Sequence, residues 1–184
     1  PPIYVASISP ETIDLCTDRA LPILIDPVAT FKSVGRAANT WHESMLAKGH
    51  DPQQHELCVM RSVYAAETTE KARADLEKYE AGFDRSKIVN QQSAPVDPKT
   101  GEVAEGYEYW QSRYQKGGEV STDFRWDQLE VAGDPERVIS QISALRDFGI
   151  GNLMCDFGST RPMEVGEMKR IIKFFADEVM PAFA

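Results

Sequence analysis

Apolar runs that fit buried strands alternate along this chain with segments that fit helices. The first run spans residues 3–7, and a polar turn that opens at Ser9 separates it from a second run at residues 21–25. Ser9 is a favourable N-cap residue and Pro10 suits the first helical position, so a helix is expected from Pro10 to about Arg19. A buried strand, a short helix and a second buried strand predict a βα repeat with neighbouring parallel strands.

The same alternation continues to the end of the chain. Further strands are predicted at residues 57–63 and 152–155, and further helices at residues 31–48, 68–81, 135–148 and 165–179. Asp134 and Pro135 repeat the capping pattern of the first helix, while Gly49 and Gly149 suit helix ends. The last helix is expected to bury four apolar side chains: Met168, Ile171, Ile172 and Phe175.

Four strand candidates, each joined to the next by helix, predict an α/β fold with a parallel sheet. This pattern fits half of an eight-stranded barrel or a small doubly wound sheet, and periodicity does not choose between the two. In both folds, ligands bind where the carboxyl ends of strands meet the amino ends of helices.

Polar residues at the first such junction predict an anion site. The hydroxyls of Ser9 and Thr12, with the amides of Glu11 and Thr12, would supply donors to a phosphate at a helix start, and Ser7 lies at the same junction. The alternative is that Ser9 only caps its own helix. Asp26 follows the second strand, where it could touch a ligand or cap the next turn.

Residues 90–118 differ from the rest of the chain. Two prolines, an Asp-Pro pair and a Thr-Gly pair over residues 93–101 are typical of loops. A loop of this length inside a compact domain is usually functional or mobile. An interdomain linker, a cover over a ligand, a loop anchor and a subunit contact are the alternatives. Four aromatic residues make the linker less favoured: Tyr107, Tyr109, Trp110 and Tyr114.

Composition narrows the partners. A net charge of −9 and a pI near 4.9 argue against nucleic acid and anionic membranes, so local donors must hold any phosphate. No apolar run approaches membrane-spanning length. Cys16, Cys58 and Cys155 are widely spaced, which predicts buried reduced thiols in a cytoplasmic protein, and no spacing predicts a metal site. The start at Pro1, without a leader, leads us to expect a fragment.

Three segments resemble, in order, the bacterial luciferase-like flavin monooxygenases. They are residues 3–12 followed by Leu21-Pro22, residues 131–136 before an amphipathic helix, and residues 174–181 near the end. The resemblance implies a TIM (β/α)8 barrel of the luciferase-like type. This chain would be its C-terminal half, strands five to eight of a single domain, with residues 90–118 as a mobile lid inserted after strand seven.

The resemblance also implies a function. We expect a monooxygenase that uses reduced FMN to insert one oxygen atom of O2 into a small organic substrate. A separate flavin reductase would supply the reduced flavin, and the protein would be a homo- or heterodimer. The alternatives are an F420-dependent oxidoreductase of the same superfamily, a non-catalytic flavin-binding partner subunit and a free-standing half-sized α/β protein. We expect the fragment alone to be inactive.

The family pattern carries over to particular residues. In the luciferases a Glu-Ser pair and a Thr three residues later contact the flavin phosphate. The Ser corresponds to Ser9 and the Thr to Thr12, whereas Ile8 replaces the Glu. The predicted cofactor-binding residues are therefore Ser7, Ile8, Ser9, Thr12 and Asp26. Tyr107, Tyr109 and Trp110 are predicted to contact substrate or to form the lid, and no catalytic base is assigned.

Overall fold

A computed structural model describes residues 3–81, 100, 102, 122–158 and 163–184. The chain divides into two compact units. Of the described residues, unit 1 comprises residues 3–60, 100, 102 and 145–154, and unit 2 comprises residues 61–81, 122–144, 155–158 and 163–184.

Strands and helices alternate through both units. The strands are β1 (Val5–Ala6), β2 (Ile23–Ile25), β3 (Leu57–Ala65), β4 (Val131–Gly133) and β5 (Ile150–Asp156). The helices are α1 (Pro10–Thr17), α2 (Phe31–Ala47), α3 (Thr69–Ala81), α4 (Thr122–Gln128), α5 (Pro135–Asp147) and α6 (Val165–Glu178). Short 3₁₀ helices span Pro52–Gln54 and Met180–Phe183.

Unit 1 is built on parallel strands. Strand β2 lies between β1 and the first half of β3, with Ala6 beside Leu24 and Leu24 beside Cys58. Helix α2 packs onto this sheet through Trp41, a fully buried side chain whose indole N–H donates to the Leu21 carbonyl at 2.9 Å. This arrangement confirms the predicted βα repeat.

Unit 2 contains the second half of β3 paired in parallel with β4, where Val63 lies beside Val131. Its core consists of side chains from both strands and from three helices, namely Tyr64, Ala66, Ala72, Leu76, Trp126, Ala132 and Ile171. Arg125 and Glu130 form a buried ion pair of 2.7 Å. Each charge therefore has a partner of opposite sign, which a buried charge requires.

The predicted helices agree with the structure at their caps. Ser9 and Asp134 cap α1 and α5, and Gly49 and Gly149 have positive φ angles of +79° and +84°. Residues 3–7 were expected to form a buried strand, and this is wrong. The strand is only Val5–Ala6, Ala6 is exposed and Ile3 is 64% exposed.

Two other predictions need correction. Strand β2 begins at Ile23 rather than at residue 21, since the Leu21 amide donates to the Cys16 carbonyl at 2.9 Å and so belongs to the turn after α1. Met168 and Ile172 were expected to be buried, but Met168 is half-buried and Ile172 is 42% exposed. Of the four predicted apolar side chains of helix α6, only Ile171 and Phe175 are buried. Successive positions of a helix point about 100° apart, so Ile172 projects away from the direction of its buried neighbour Ile171.

The described residues thus form a mixed α/β fold with parallel strands, as the sequence predicted. None of the helices in the described ranges is long and apolar enough to cross a membrane. The predicted lid segment, residues 90–118, lies outside the described residues except for Thr100 and Glu102.

Candidate active site

The turn between β1 and α1 brings two of the predicted hydroxyls together. Ser9 has extended backbone angles (φ −77°, ψ 142°) and precedes Pro10, so it is the N-cap of α1. Its hydroxyl accepts a hydrogen bond from the Thr12 amide at 3.4 Å and donates to Thr12 Oγ1 at 3.2 Å. Both bonds are long, so they are weak and leave the hydroxyls able to turn toward a ligand.

Ser7 adds a third hydroxyl at the same turn. Its amide donates to the Leu24 carbonyl at 3.0 Å, which attaches the turn to β2. Its Oγ atom is buried and has no hydrogen-bond partner within the part of the chain that the structure describes. A buried hydroxyl without a partner costs about 1–3 kcal/mol, which a ligand oxygen would recover.

The electrostatics of the turn favour an anion modestly. The amino end of a helix carries a partial positive charge, and its first amides point away from the helix. Glu11, in the first turn of α1, is exposed. The turn therefore offers hydroxyls and helix amides to a ligand.

Ile8 lies between the two helices of unit 1. It lines a small cavity together with two residues of α1 and four of α2, namely Pro10, Ile13, Ser33, Arg36, Ala37 and Thr40. An isoleucine has no hydrogen-bonding atom on its side chain, so Ile8 can only pack there.

Asp26 caps the turn that leads into α2. Its Oδ1 atom accepts a hydrogen bond from the Val28 amide at 2.7 Å, and its carbonyl accepts one from Ala29 at 3.1 Å. This is an Asx turn, the alternative that the sequence left open for this residue. Its contact with a cofactor stays a prediction.

A half-buried polar cluster around the buried Tyr64 in unit 2 was not predicted. The Tyr64 hydroxyl lies 2.9 Å from Asp75 Oδ2 and 3.1 Å from Glu167 Oε1. Arg170 donates to both carboxylate oxygens of Glu167, at 2.8 and 2.9 Å. The spacing of Glu167 and Arg170, three residues apart on one helix, was the available signal.

The protonation states of Glu167 and Tyr64 determine the role of this cluster. The hydrogen bonds from Arg170 lower the pKa of Glu167 to about 2, so it stays ionised. Burial and the two neighbouring carboxylates raise the pKa of Tyr64, so this phenol stays protonated. The cluster is therefore a set of fixed charges and donors that joins β3, α3 and α6, rather than a general base.

The remaining predicted site residues and the cysteines can be placed briefly. Tyr107, Tyr109 and Trp110 lie outside the described residues. All three cysteines are free, and burial raises the pKa of each thiol. Across the described ranges, no group of three His, Cys, Asp or Glu side chains could hold a metal ion.

Comparison with known families assigns the chain. The model of the luciferase-like monooxygenase family matches residues 1–152 of the 184. The chain therefore belongs to the luciferase-like monooxygenase family, as the resemblance implied. Among curated proteins, no significant match is found.

Solved structures share the fold. Monooxygenase RslO1 from Streptomyces bottropensis is 17% identical, with a TM-score of 0.66 over 100% of this chain and 49% of its own. The oxygenating constituent of 3,6-diketocamphane monooxygenase from Pseudomonas putida, in complex with FMN, is 15% identical, with a TM-score of 0.67 over 98% of this chain and 48% of its own.

A third neighbour has a different cofactor in its name. The coenzyme F420-dependent tetrahydromethanopterin reductase from Methanopyrus kandleri is 18% identical, with a TM-score of 0.62 over 100% of this chain and 51% of its own. The chain thus spans about half the length of these three structures. At such identities the likeness concerns the fold alone.

Proposed function

We propose that this chain is the C-terminal half of a TIM-barrel oxidoreductase that uses reduced FMN to insert one oxygen atom of O2 into a small organic substrate. Family membership over residues 1–152 supports the reaction class. The single observation that carries the cofactor assignment is the group of three hydroxyls on Ser7, Ser9 and Thr12 at the amino end of α1.

The three hydroxyls at this turn are suited to bind a phosphate. Ser7 Oγ is buried without a described partner, and the hydroxyls of Ser9 and Thr12 are engaged only in weak bonds to each other. On binding, Ser9 and Thr12 would donate to phosphate oxygens, and the start of α1 would add its partial positive charge. Bound reduced FMN would supply two electrons, so that one oxygen atom of O2 is inserted into the substrate and the other is reduced to water.

The other predicted residues have supporting roles. Ile8 would pack beside the phosphate turn without contacting its oxygens, and Asp26 would border the site from the end of β2. Tyr107, Tyr109 and Trp110 would belong to a lid, residues 90–118, that excludes water. The neighbour from Pseudomonas putida is a type II Baeyer–Villiger monooxygenase described as an oxygenating constituent. This supports a separate reductase as partner of our protein.

A second candidate function is supported by the neighbours. Two of them are F420-dependent by name, the tetrahydromethanopterin reductase and a secondary alcohol dehydrogenase. An F420-dependent oxidoreductase would transfer hydride and leave O2 untouched.

Ile8 favours a further alternative, a non-catalytic flavin-binding subunit, because an isoleucine replaces the acidic residue of the luciferases.

The phosphate assignment is tested by titrating the full gene product with FMN and with riboflavin, which lacks the phosphate. Ser9→Ala should weaken FMN binding by about tenfold, the effect of losing one hydrogen bond to a charged group, and should leave riboflavin binding unchanged.

Thr68→Ala is the matched control, since the Thr68 hydroxyl likewise accepts from an amide, that of Lys71 at 3.1 Å, at the start of α3. Equal loss of FMN and riboflavin affinity in Ser9→Ala would refute the phosphate contact.

A second experiment separates the two candidate reactions. The proposed monooxygenase should consume O2 with reduced FMN and should not do so with reduced F420.

A further inference from the structure

One lysine joins the carboxyl end of α1 to α2. Lys48, the C-cap of α2, donates from Nζ to the Asp14 carbonyl at 2.7 Å and to Asp14 Oδ1 at 2.6 Å. The same Nζ atom lies 2.7 Å from Asp18 Oδ1 and 3.0 Å from Thr17 Oγ1. An ammonium group has three hydrogens, so these four oxygens engage all of them. The buried Thr17 hydroxyl adds a second link, because it lies 2.7 Å from Ser44 Oγ of α2.

This lysine balances two negative charges at an unfavourable place on α1. Asp14 lies in the last turn of α1 and Asp18, four positions later, is its C-cap, so the two carboxylates are neighbours on the helix surface. The carboxyl end of a helix carries a partial negative charge, and α1 has no basic residue in its own last turn. A helix of eight residues is not stable by itself. Without Lys48, the two like charges would therefore fray the end of α1.

The amino end of α1 makes a less complete contact with α2. The cavity that Ile8 lines lies between the two helices at that end. The turn before α1 is attached to the sheet, since the Ser7 amide donates to the Leu24 carbonyl at 3.0 Å. The placement of the Ser9 and Thr12 hydroxyls therefore depends on contacts farther along α1, including those of the lysine.

We propose, on the basis of the FMN function proposed above, that Lys48 is a positioning residue for the phosphate contact of Ser9 and Thr12. Lys48 acts through α1, because it keeps the last turn of the helix formed. The amides at the start of α1 then stay aligned, and their partial positive charge stays directed at the phosphate. The eight residues of α1 span about 12 Å, so Lys48 lies too far from the turn to contact the same phosphate.

Titration of the full gene product with FMN and with riboflavin tests this role. Lys48→Met removes the charge and keeps the length of the side chain. It should weaken FMN binding by about fivefold or more, a typical coupling between separated groups, and riboflavin binding by less than about twofold. Lys48→Arg keeps the charge and should bind FMN within about twofold of the wild-type protein.

Lys173→Met is the matched control. Lys173 also pairs with a carboxylate at 2.6 Å, that of Asp177, but it lies on α6 in unit 2. This variant should bind FMN and riboflavin as the wild-type protein does. If Lys48→Met does not fold, Lys48→Gln takes its place, because its amide still donates hydrogen bonds without the charge, and the same selective loss of FMN affinity is expected.

Hydrogen exchange measured by mass spectrometry reports on α1 without a cofactor. In Lys48→Met, the amides of Ile13 and Asp18, which donate to carbonyls of α1 and its cap at 3.0 Å, should exchange at least about tenfold faster. The amides of α3 should exchange at the wild-type rate.

The results separate this proposal from the cofactor assignment. Equal losses of FMN and riboflavin affinity in Lys48→Met, or no loss, would overturn the role of Lys48 while a wild-type preference for FMN still supports the phosphate site. Faster exchange in α1 with an unchanged preference for FMN would overturn that role as well. A wild-type protein that binds FMN no more tightly than riboflavin would overturn both.

Discussion

The hydroxyl of Tyr64 lies 3.1 Å from the Oε1 atom of Glu167 and thereby joins strand β3 to helix α6 inside unit 2. These residues are 103 positions apart in the chain. Arg170 holds the same carboxylate through two hydrogen bonds. At low pH, Glu167 stays ionised only while it is held in this arrangement, and it becomes protonated when the protein unfolds. The stability of unit 2 therefore depends on pH.

Glu167→Gln should destabilise the protein most at neutral pH. The pKa of Glu167 is lowered from 4.5 to about 2 in the folded protein. Its contribution is therefore complete above pH 4.5 and is lost as the pH falls toward 2. Urea unfolding at pH 7, 4.5 and 3 should show a loss of about 1–3 kcal/mol at pH 7 that shrinks toward pH 3.

Asp177→Asn is the control for that substitution. Asp177 pairs with Lys173 on the same helix, but both side chains are exposed, so the change should cost less than about 1 kcal/mol. A loss in Glu167→Gln that does not vary with pH would contradict the assignment.

Gly149→Ala should cost more stability than Gly49→Ala, although both glycines have similar positive φ angles, +84° and +79°. An alanine in this conformation costs about 1–2 kcal/mol at either position. At Gly149 the added Cβ would also lie 2.7 Å from Cε1 of His42, whereas at Gly49 nothing lies within 4 Å.

The His42 ring has little freedom to move away. Its Nδ1 atom lies 2.8 Å from the Ala38 carbonyl, and the ring packs edge-on against Trp41. Thermal unfolding of the two variants should therefore separate the steric effect from the backbone effect. Equal melting temperatures would show that His42 yields without cost.

Trp41→Phe tests the attachment of α2 to the sheet. The variant removes the hydrogen bond to the Leu21 carbonyl and part of a fully buried side chain, so we expect a loss of about 2–4 kcal/mol in chemical denaturation. Leu46→Ala, on the exposed side of the same helix, should change stability by less than about 0.5 kcal/mol.

The native thiols should react slowly with a disulfide reagent at pH 8. Burial raises the pKa of Cys155 to about 11 and raises those of Cys16 and Cys58 as well, so little thiolate is present. Denaturant should release all three thiols. In the control variant Leu46→Cys, the new thiol lies at an exposed position and should react with the reagent within the mixing period. A native thiol that reacts as quickly would contradict the burial of the native cysteines.

Much of the fold could be predicted from local signals. The caps at Ser9 and Asp134 and the helix ends at Gly49 and Gly149 follow from the chemistry of single turns. The pairing of Ser9 with Thr12 follows from their spacing at a helix start. These features depend only on neighbours in sequence, so a pattern of residues is enough to predict them.

Other features depend on what packs against an element from elsewhere. Ala6 and Ile172 are apolar and were expected to be buried, yet both are exposed, because no described residue covers them. Nor does any local pattern predict the clusters of Tyr64 with Glu167 or of Tyr4 with Asn152, which unite residues 103 and 148 positions apart.

The sequence by itself therefore determined the alternation of strands and helices apart from β4 and α4, the capped turn of Ser9 and Thr12, and the family, since each depends on short motifs. Only the tertiary structure decided that Ser7 Oγ is buried without a described partner and that Ala6, in a strand of unit 1, is exposed among the described residues. Burial is a property of the surroundings that a residue meets after folding, and the opposite side of a sheet is distant in sequence.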